Sequence, residues 1–256
     1  MLRSRIIPVL LLRGRSLVKT IKFNKFSYIG DPCNTVRIFN ELEVDEISIL
    51  DIDATIEKHE PKYELIGDIA SEAFMPLSYG GGIKSIETAK NIFDLGIEKV
   101  ILNSEAIANP ELISEIASIF GSQAIIVSID VKKTFFSKEY NVFSHSGKRK
   151  ANLDLKAWVK ECENLGAGEI MLNNINRDGT WSGYDYELYS QIGEGLNIPM
   201  IGCGGAKNID DISELIKQSK CSAAGVGSMV VFQKKDNGVL INFPKPEDIE
   251  SKLHLK

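Results

Sequence analysis

No apolar run in this chain approaches the roughly 18 residues that a membrane-spanning helix requires. The opening MLRSRIIP has neither a long apolar stretch nor a small-residue cleavage site. These absences argue against membrane insertion and secretion and point to the cytoplasm. Cysteine is scarce: Cys33, Cys162, Cys203 and Cys221 are scattered without CxxC or CxH spacing. Neither a disulfide framework nor a metal site is indicated, and the thiols read as small core residues. The histidines His59, His145 and His254 fall in loop-like or terminal sequence, and none is assigned a catalytic role. Positive charge is not in surplus. A formal charge of −5 gives no basic footprint for nucleic acid, and the local run Lys148-Arg149-Lys150 reads as solvated loop.

What the chain does have is material for one large core. At 43% hydrophobic and 25% charged over 256 residues, a single α/β domain spanning 1–256 is sufficient. Strand-like runs at 5–11, 46–53, 75–79, 99–103, 124–130, 169–176, 198–203 and 223–227 alternate with helix-period segments near 34–42, 63–73, 86–95, 110–120, 153–165, 186–195 and 209–217, and a last helix lies near 246–253. Eight such pairs predict a (β/α)8 TIM barrel.

An internal repeat predicts how that barrel is built. Glu46-Ile47…Ile52 matches Glu169-Ile170…Ile175 at an offset of 123, as Pro76…Gly81-Gly82 matches Pro199…Gly204-Gly205, and Ser104 matches Ser228 at 124. Two fused half-barrels account for these offsets.

Reactive groups in such barrels gather at the C-terminal ends of the strands, where this sequence is polar: Asp51, Asn103, Ser104, Asp130, Asn174, Asp178. One such residue could be a helix cap, but the set together implies a ligand. The glycine turns Gly80-Gly81-Gly82 and Gly204-Gly205, with helix starts at Ser104 and, after Gly227, at Ser228, expose backbone N–H groups for anions. Each half therefore offers one phosphate cradle.

Ordered motifs run along nearly the whole chain: RIIP at 5–8, GDP at 30–32, LDI at 50–52, GGGI at 80–83, NS at 103–104, SID at 128–130, GAGEI at 166–170, NRDGT at 176–180, GYD at 183–185 and GGA at 204–206. In these the sequence resembles the cyclase subunit family of imidazole glycerol phosphate synthase. The resemblance implies a barrel that takes ammonia from a glutaminase bound at its N-terminal face, cleaves a bisphosphorylated aminoimidazole precursor and closes the imidazole ring, with no cofactor. It places the family's two essential carboxylates at 11 and 130. Asp130 is present as the base, but Leu11 replaces the acid, and Asn176 replaces a further aspartate. A positioned acid is worth about 10²–10⁴ in rate, so ring closure is the step put in doubt.

The same resemblance makes Lys19, Asp51, Asn103, Asn174 and Asp178 substrate-binding residues, Lys19 on a mobile loop, and makes Arg5, Glu46, Lys99 and Glu169 a charged ammonia gate. The tail GVLINFP at 238–244 looks like a paralogous group tied to surface polysaccharides, which forms acetamidino groups on nucleotide-linked sugars. The leading expectation is such a synthase subunit, acting on a phosphorylated small molecule or nucleotide sugar. Two rivals stand beside it: a histidine-pathway cyclase, and a non-catalytic barrel that activates a glutaminase. A phosphoribosyl isomerase ranks last, because it needs two carboxylates and no gate.

Overall fold

In the computed structural model, residues 4–134, 139–235 and 237–253 are described; His254 and one residue of the tail, Asp236, lie outside them. The strands are β1 (Arg5–Arg13), β2 (Ser16–Ile21), β3 (Asn24–Gly30), β4 (Ile47–Asp51), β5 (Leu77–Gly80), β6 (Lys99–Leu102), β7 (Ile125–Lys133), β8 (Tyr140–Ser144), β9 (Arg149–Lys150), β10 (Glu169–Asn174), β11 (Met200–Cys203) and β12 (Cys221–Val226). The helices are α1 (Pro32–Glu41), α2 (Ala54–Glu57), α3 (Tyr63–Ser71), α4 (Ile86–Phe93), α5 (Ser104–Ala108), α6 (Glu111–Phe120), α7 (Leu155–Asn164), α8 (Tyr186–Gly193), α9 (Ile209–Gln218), α10 (Ser228–Val231) and α11 (Pro246–Leu253).

Parallel pairing runs β10-β11-β12-β1-β4-β5-β6-β7, and β7 pairs back onto β10, so the sheet closes into the expected (β/α)8 barrel. These strands are buried on both faces, which is why they read as continuous apolar runs rather than as alternating ones. On β1, Leu10 and Leu12 face outward into the helix-covered core, while Ile7 and Val9 face inward with Leu50, Ile101, Ile126, Met171 and Ile201. Helix starts are set by local caps: Asp31 Oδ1 accepts from Asn34 N at 2.8 Å with Pro32 following it, and Ser85, Asp154, Asp185 and Asn208 cap likewise.

The repeat is visible in three dimensions. A Cβ on Gly81 would lie 2.5 Å from the carbonyl oxygen of Asp51, and one on Gly204 2.6 Å from that of Asn174, both at positive φ. Only glycine fits either place. Asp51 and Asn174 are themselves partners at the offset of 123.

Two excursions were not expected from the sequence. β1 runs on to Arg13, turns at Gly14 (φ +61) and pairs antiparallel with β2, which pairs with β3. β7 likewise continues into β8 and β9. The mobile-loop reading of Lys19 and the solvated-loop reading of Arg149 and Lys150 are thereby corrected. Both segments are strands, because the barrel strand beside each overshoots and offers a free edge. Arg149 and Lys150 do remain exposed.

Candidate functional site

At the N-terminal end of the barrel, Arg5, Glu46, Lys99 and Glu169 close into a ring. Arg5 donates to Glu46 at 2.8 Å and to Glu169 at 2.6 Å, and Lys99 donates to Glu46 at 3.1 Å and to Glu169 at 2.7 Å. Burial alone would raise the Glu169 carboxyl, but the hydrogen bonds and charges of Arg5 and Lys99 outweigh it and hold the group below its ordinary range. Above the ring lies the inward-facing apolar column. A cavity of about 250 Å³ opens above the column. That is near the lower end of small-molecule sites and many times the space of one water.

Asp130 stands in this cavity with Leu11, Asn103, Ser128 and Asn173. Its Oδ2 accepts from Asn103 Nδ2 at 3.2 Å, and the same amide donates to the Ser128 carbonyl at 2.8 Å. Burial pushes the Asp130 carboxyl up to about 7, against hydrogen bonds from Asn173 and Asn103 that favour its charged form. A carboxyl poised there can accept or release a proton near neutral pH.

On the opposite side of the cavity, Lys19 Nζ lies 2.7 Å from Asp178 Oδ1 and Thr20 Oγ1 lies 2.7 Å from Asp178 Oδ2, all buried. Both glycine turns line the same cavity: Gly81 and Gly82 beside Ser104, and Gly204 and Gly205 beside Gly227 and Ser228. Among the described residues, no grouping of His, Cys, Asp and Glu could hold a metal ion, and no helix is long and apolar enough to cross a membrane.

The model of the histidine biosynthesis protein family matches residues 5–236. The chain belongs to this family. A relative in Vibrio vulnificus, provisionally named imidazole glycerol phosphate synthase subunit hisF3, is 48% identical over 255 residues, covering 100% of this chain and 98% of its own length. One in Pseudomonas aeruginosa with the provisional name hisF2 is 48% identical over 244 residues, 95% of this chain and 97% of its own. The imidazole glycerol phosphate synthase subunit HisF of Lactococcus lactis subsp. lactis is 42% identical over 250 residues, 95% and 96%.

Within this histidine biosynthesis family barrel, one expected substrate ligand is placed otherwise. Asn174 points out of the cavity: its Oδ1 accepts from Asn176 N at 3.0 Å and its Nδ2 donates to Asp185 at 3.2 Å. Asn173 faces the cavity instead, because side chains alternate along a strand. Asp51 lines the cavity, but its carboxylate is committed. It accepts from Asp53 N at 3.2 Å, Ala54 N at 3.1 Å and Lys62 Nζ at 2.9 Å, so it also shapes the loop. Parity with Glu169 would have found Asn173, since 169, 171 and 173 share one face. Ser128, Trp181 and the Lys62 partner of Asp51 were missed as well.

Proposed function

We propose that this chain is the ammonia-using synthase subunit of a glutamine amidotransferase pair. A glutaminase docks where Arg5, Glu46, Lys99 and Glu169 meet, and ammonia passes to a phosphorylated electrophile in the cavity. The observation that carries the reading is the order of parts along the barrel: charged ring, apolar column, then Asp130. Neutral ammonia crosses an apolar core at far lower cost than ammonium, so the column admits the neutral molecule and excludes ions.

At the cavity, the ammonia lone pair forms a bond to an electrophilic carbon. The nitrogen then carries an excess proton, which the Asp130 carboxylate accepts. The resulting acid, with a pKa of about 7, can return the proton to the oxygen as the carbon–oxygen bond breaks, and that oxygen leaves with the phosphoryl-type group that a separate amide-activating enzyme has placed on it. Leu11 holds no proton at any pH. A ring closure that needs acid and base together is therefore poorly served, whereas nitrogen transfer to an already activated amide carbon needs one shuttle. The tail adds support: Phe232 bridges Val239, and Ile241 and Phe243 pack on the core in the GVLINFP segment that resembles acetamidino-sugar paralogues. We accordingly place the substrate among nucleotide-linked sugars, where an acetamido group becomes an acetamidino group.

The names of the relatives favour a second reading, a cyclase of histidine biosynthesis. Deleting the gene in its own cell separates the two. The first reading expects growth without histidine to continue and an amidine-bearing sugar to vanish from surface polysaccharide, read by mass spectrometry. Histidine auxotrophy would establish the second reading instead.

A further inference from the structure

The cavity is duplicated in outline but not in chemistry. At the first glycine turn, the Ser104 hydroxyl is already used: it accepts from His145 N at 2.9 Å and donates to Asn103 Oδ1 at 3.3 Å. The β8–β9 turn thus occupies that hydroxyl. At the second turn, the buried Ser228 hydroxyl makes no hydrogen bond to any described residue. A cation also stands over it. A Cβ on Gly227 would lie 2.7 Å from Lys19 Cε and 3.5 Å from Lys19 Nζ, so the ammonium tied to Asp178 also overhangs the Gly227–Ser228 turn. Both turns line the cavity, but the first has its serine hydroxyl engaged, whereas the second has a buried hydroxyl without a partner among the described residues, beside the Lys19–Asp178 ion pair.

Trp181 shares the cavity with this second turn. It lines the cavity and is partly exposed, and its backbone is left-handed at φ +58. A bulky side chain rarely adopts that conformation, which persists only where neighbours over-determine it. They do so here. Thr180 Oγ1 donates to the Arg177 carbonyl at 2.7 Å, the Thr180 and Ser182 hydroxyls pair at 2.7 Å, and Arg177 Nη1 donates to the carbonyls of Ser182 and Gly183 at 3.2 and 2.9 Å. Gly183 N in turn donates to the Gly205 carbonyl at 2.9 Å. The backbone that carries Trp181 is therefore tied to the Gly204–Gly205 turn before any ligand arrives.

An indole that shares a cavity with an anion turn whose serine hydroxyl is free fits a ligand with a flat ring and phosphates at one end. A ligand with a phosphate at each end would call on both serine hydroxyls, and that of Ser104 is engaged. We propose that Trp181 and the Gly204–Gly205/Gly227–Ser228 turns form a nucleoside diphosphate subsite, with the phosphates on the turns beneath Lys19 and the base stacked on the indole. This rests on the reading of the chain as a synthase acting on a nucleotide-linked sugar, and it names the part of the substrate that the barrel grips. It also shows how adjacent phosphates fit a site with two separated cradles: they use one.

The experiment titrates the full chain with UDP and with inorganic pyrophosphate, which has no base, following tryptophan emission and calorimetry. The other tryptophan, Trp158, is buried on α7 and supplies a constant background. UDP is expected to quench emission and to bind at least about tenfold more tightly than pyrophosphate, the scale of base stacking on an aromatic side chain. Trp181→Asn, a residue that tolerates positive φ, should remove the quench and weaken UDP about tenfold while leaving pyrophosphate unchanged. Trp181→Phe should recover most of the UDP affinity. Equal wild-type affinity for the two ligands, or equal weakening of both by Trp181→Asn, overturns the subsite. Should UDP fail while glutamine-driven nitrogen transfer persists, the subsite falls and ammonia delivery stands. If UDP binds through Trp181 but the gene deletion gives histidine auxotrophy, the subsite stands and the amidine reading falls.

Discussion

Lys19 Nζ and Asp178 Oδ1 lie 2.7 Å apart in the barrel mouth, although 159 residues separate them in sequence. Asp178 also receives Thr20 Oγ1 at 2.7 Å and Phe23 N at 3.4 Å, and its carbonyl accepts from Lys22 N at 2.9 Å. A single carboxylate thus fastens the β2–β3 hairpin over the cavity.

Removing one member of this buried pair leaves the other charge uncompensated, at a cost of about 3–5 kcal/mol. Lys19→Met and Asp178→Asn should each lower urea stability by that order. The double variant should lose clearly less than the sum, and limited proteolysis should cut the single variants within residues 22–27. Strictly additive losses would show that the two side chains act independently.

The carboxyl of Asp130 makes stability depend on pH in an unusual direction. Its folded pKa of about 7 lies above the ordinary 3.8, so between those values the folded state holds a proton that the unfolded state has released. Stability from this group is full below about pH 4 and is lost as pH rises through 7. Asp130→Asn should therefore be more stable than wild type at pH 8, by a few kcal/mol at roughly 1.4 per pKa unit, with the gap closing toward pH 4. Nitrogen transfer should rise with pH through about 7 in wild type and fall about 10²–10⁴-fold in the variant. Thermal melts showing the same gap at pH 4 and pH 8 would contradict the raised pKa.

Lys99→Ala opens the charged ring and leaves Glu46 and Glu169 with Arg5 alone. Glutamine-driven product formation should fall well below that of wild type, while reaction with free ammonium salt falls less. Because the Glu169 carboxyl is held below its ordinary range, the ring stabilises the fold above about pH 4.5 and loses that contribution as pH falls further. The stability gap between variant and wild type should narrow in acid accordingly. Equal loss with both nitrogen sources, in a folded variant, would reduce the ring to a structural ion-pair network.

The barrel was legible because its strands are short apolar runs at regular intervals, and the ring because the family resemblance pointed to Arg5, Glu46, Lys99 and Glu169, each of which begins one of those runs. Asp130 and Asn103 were legible too, since each is the polar end of an inward-facing row. The hairpins were not. Lys19 and Thr20 look like loop residues until Asp178 stands beside them, and only the closed barrel brings it there. Asn174 was misread for a different reason: an amide at a strand end looks the same whether it serves a ligand or the next turn of backbone. Trp181 carried no periodic signal, because its placement depends on a left-handed turn that only Arg177, Thr180 and Gly205 together impose.

The two hairpins leave from β1 and β7, one from each half of the repeat, and neither contributes a strand to the closed barrel. They can therefore drift separately from the frame that carries them. One sets Lys19 beside the Gly227–Ser228 turn, and the other gives a backbone N–H to the Ser104 hydroxyl. A protein with such a plan can change what its mouth accepts by editing residues 16–30 and 140–150, with no change in the core that folds it.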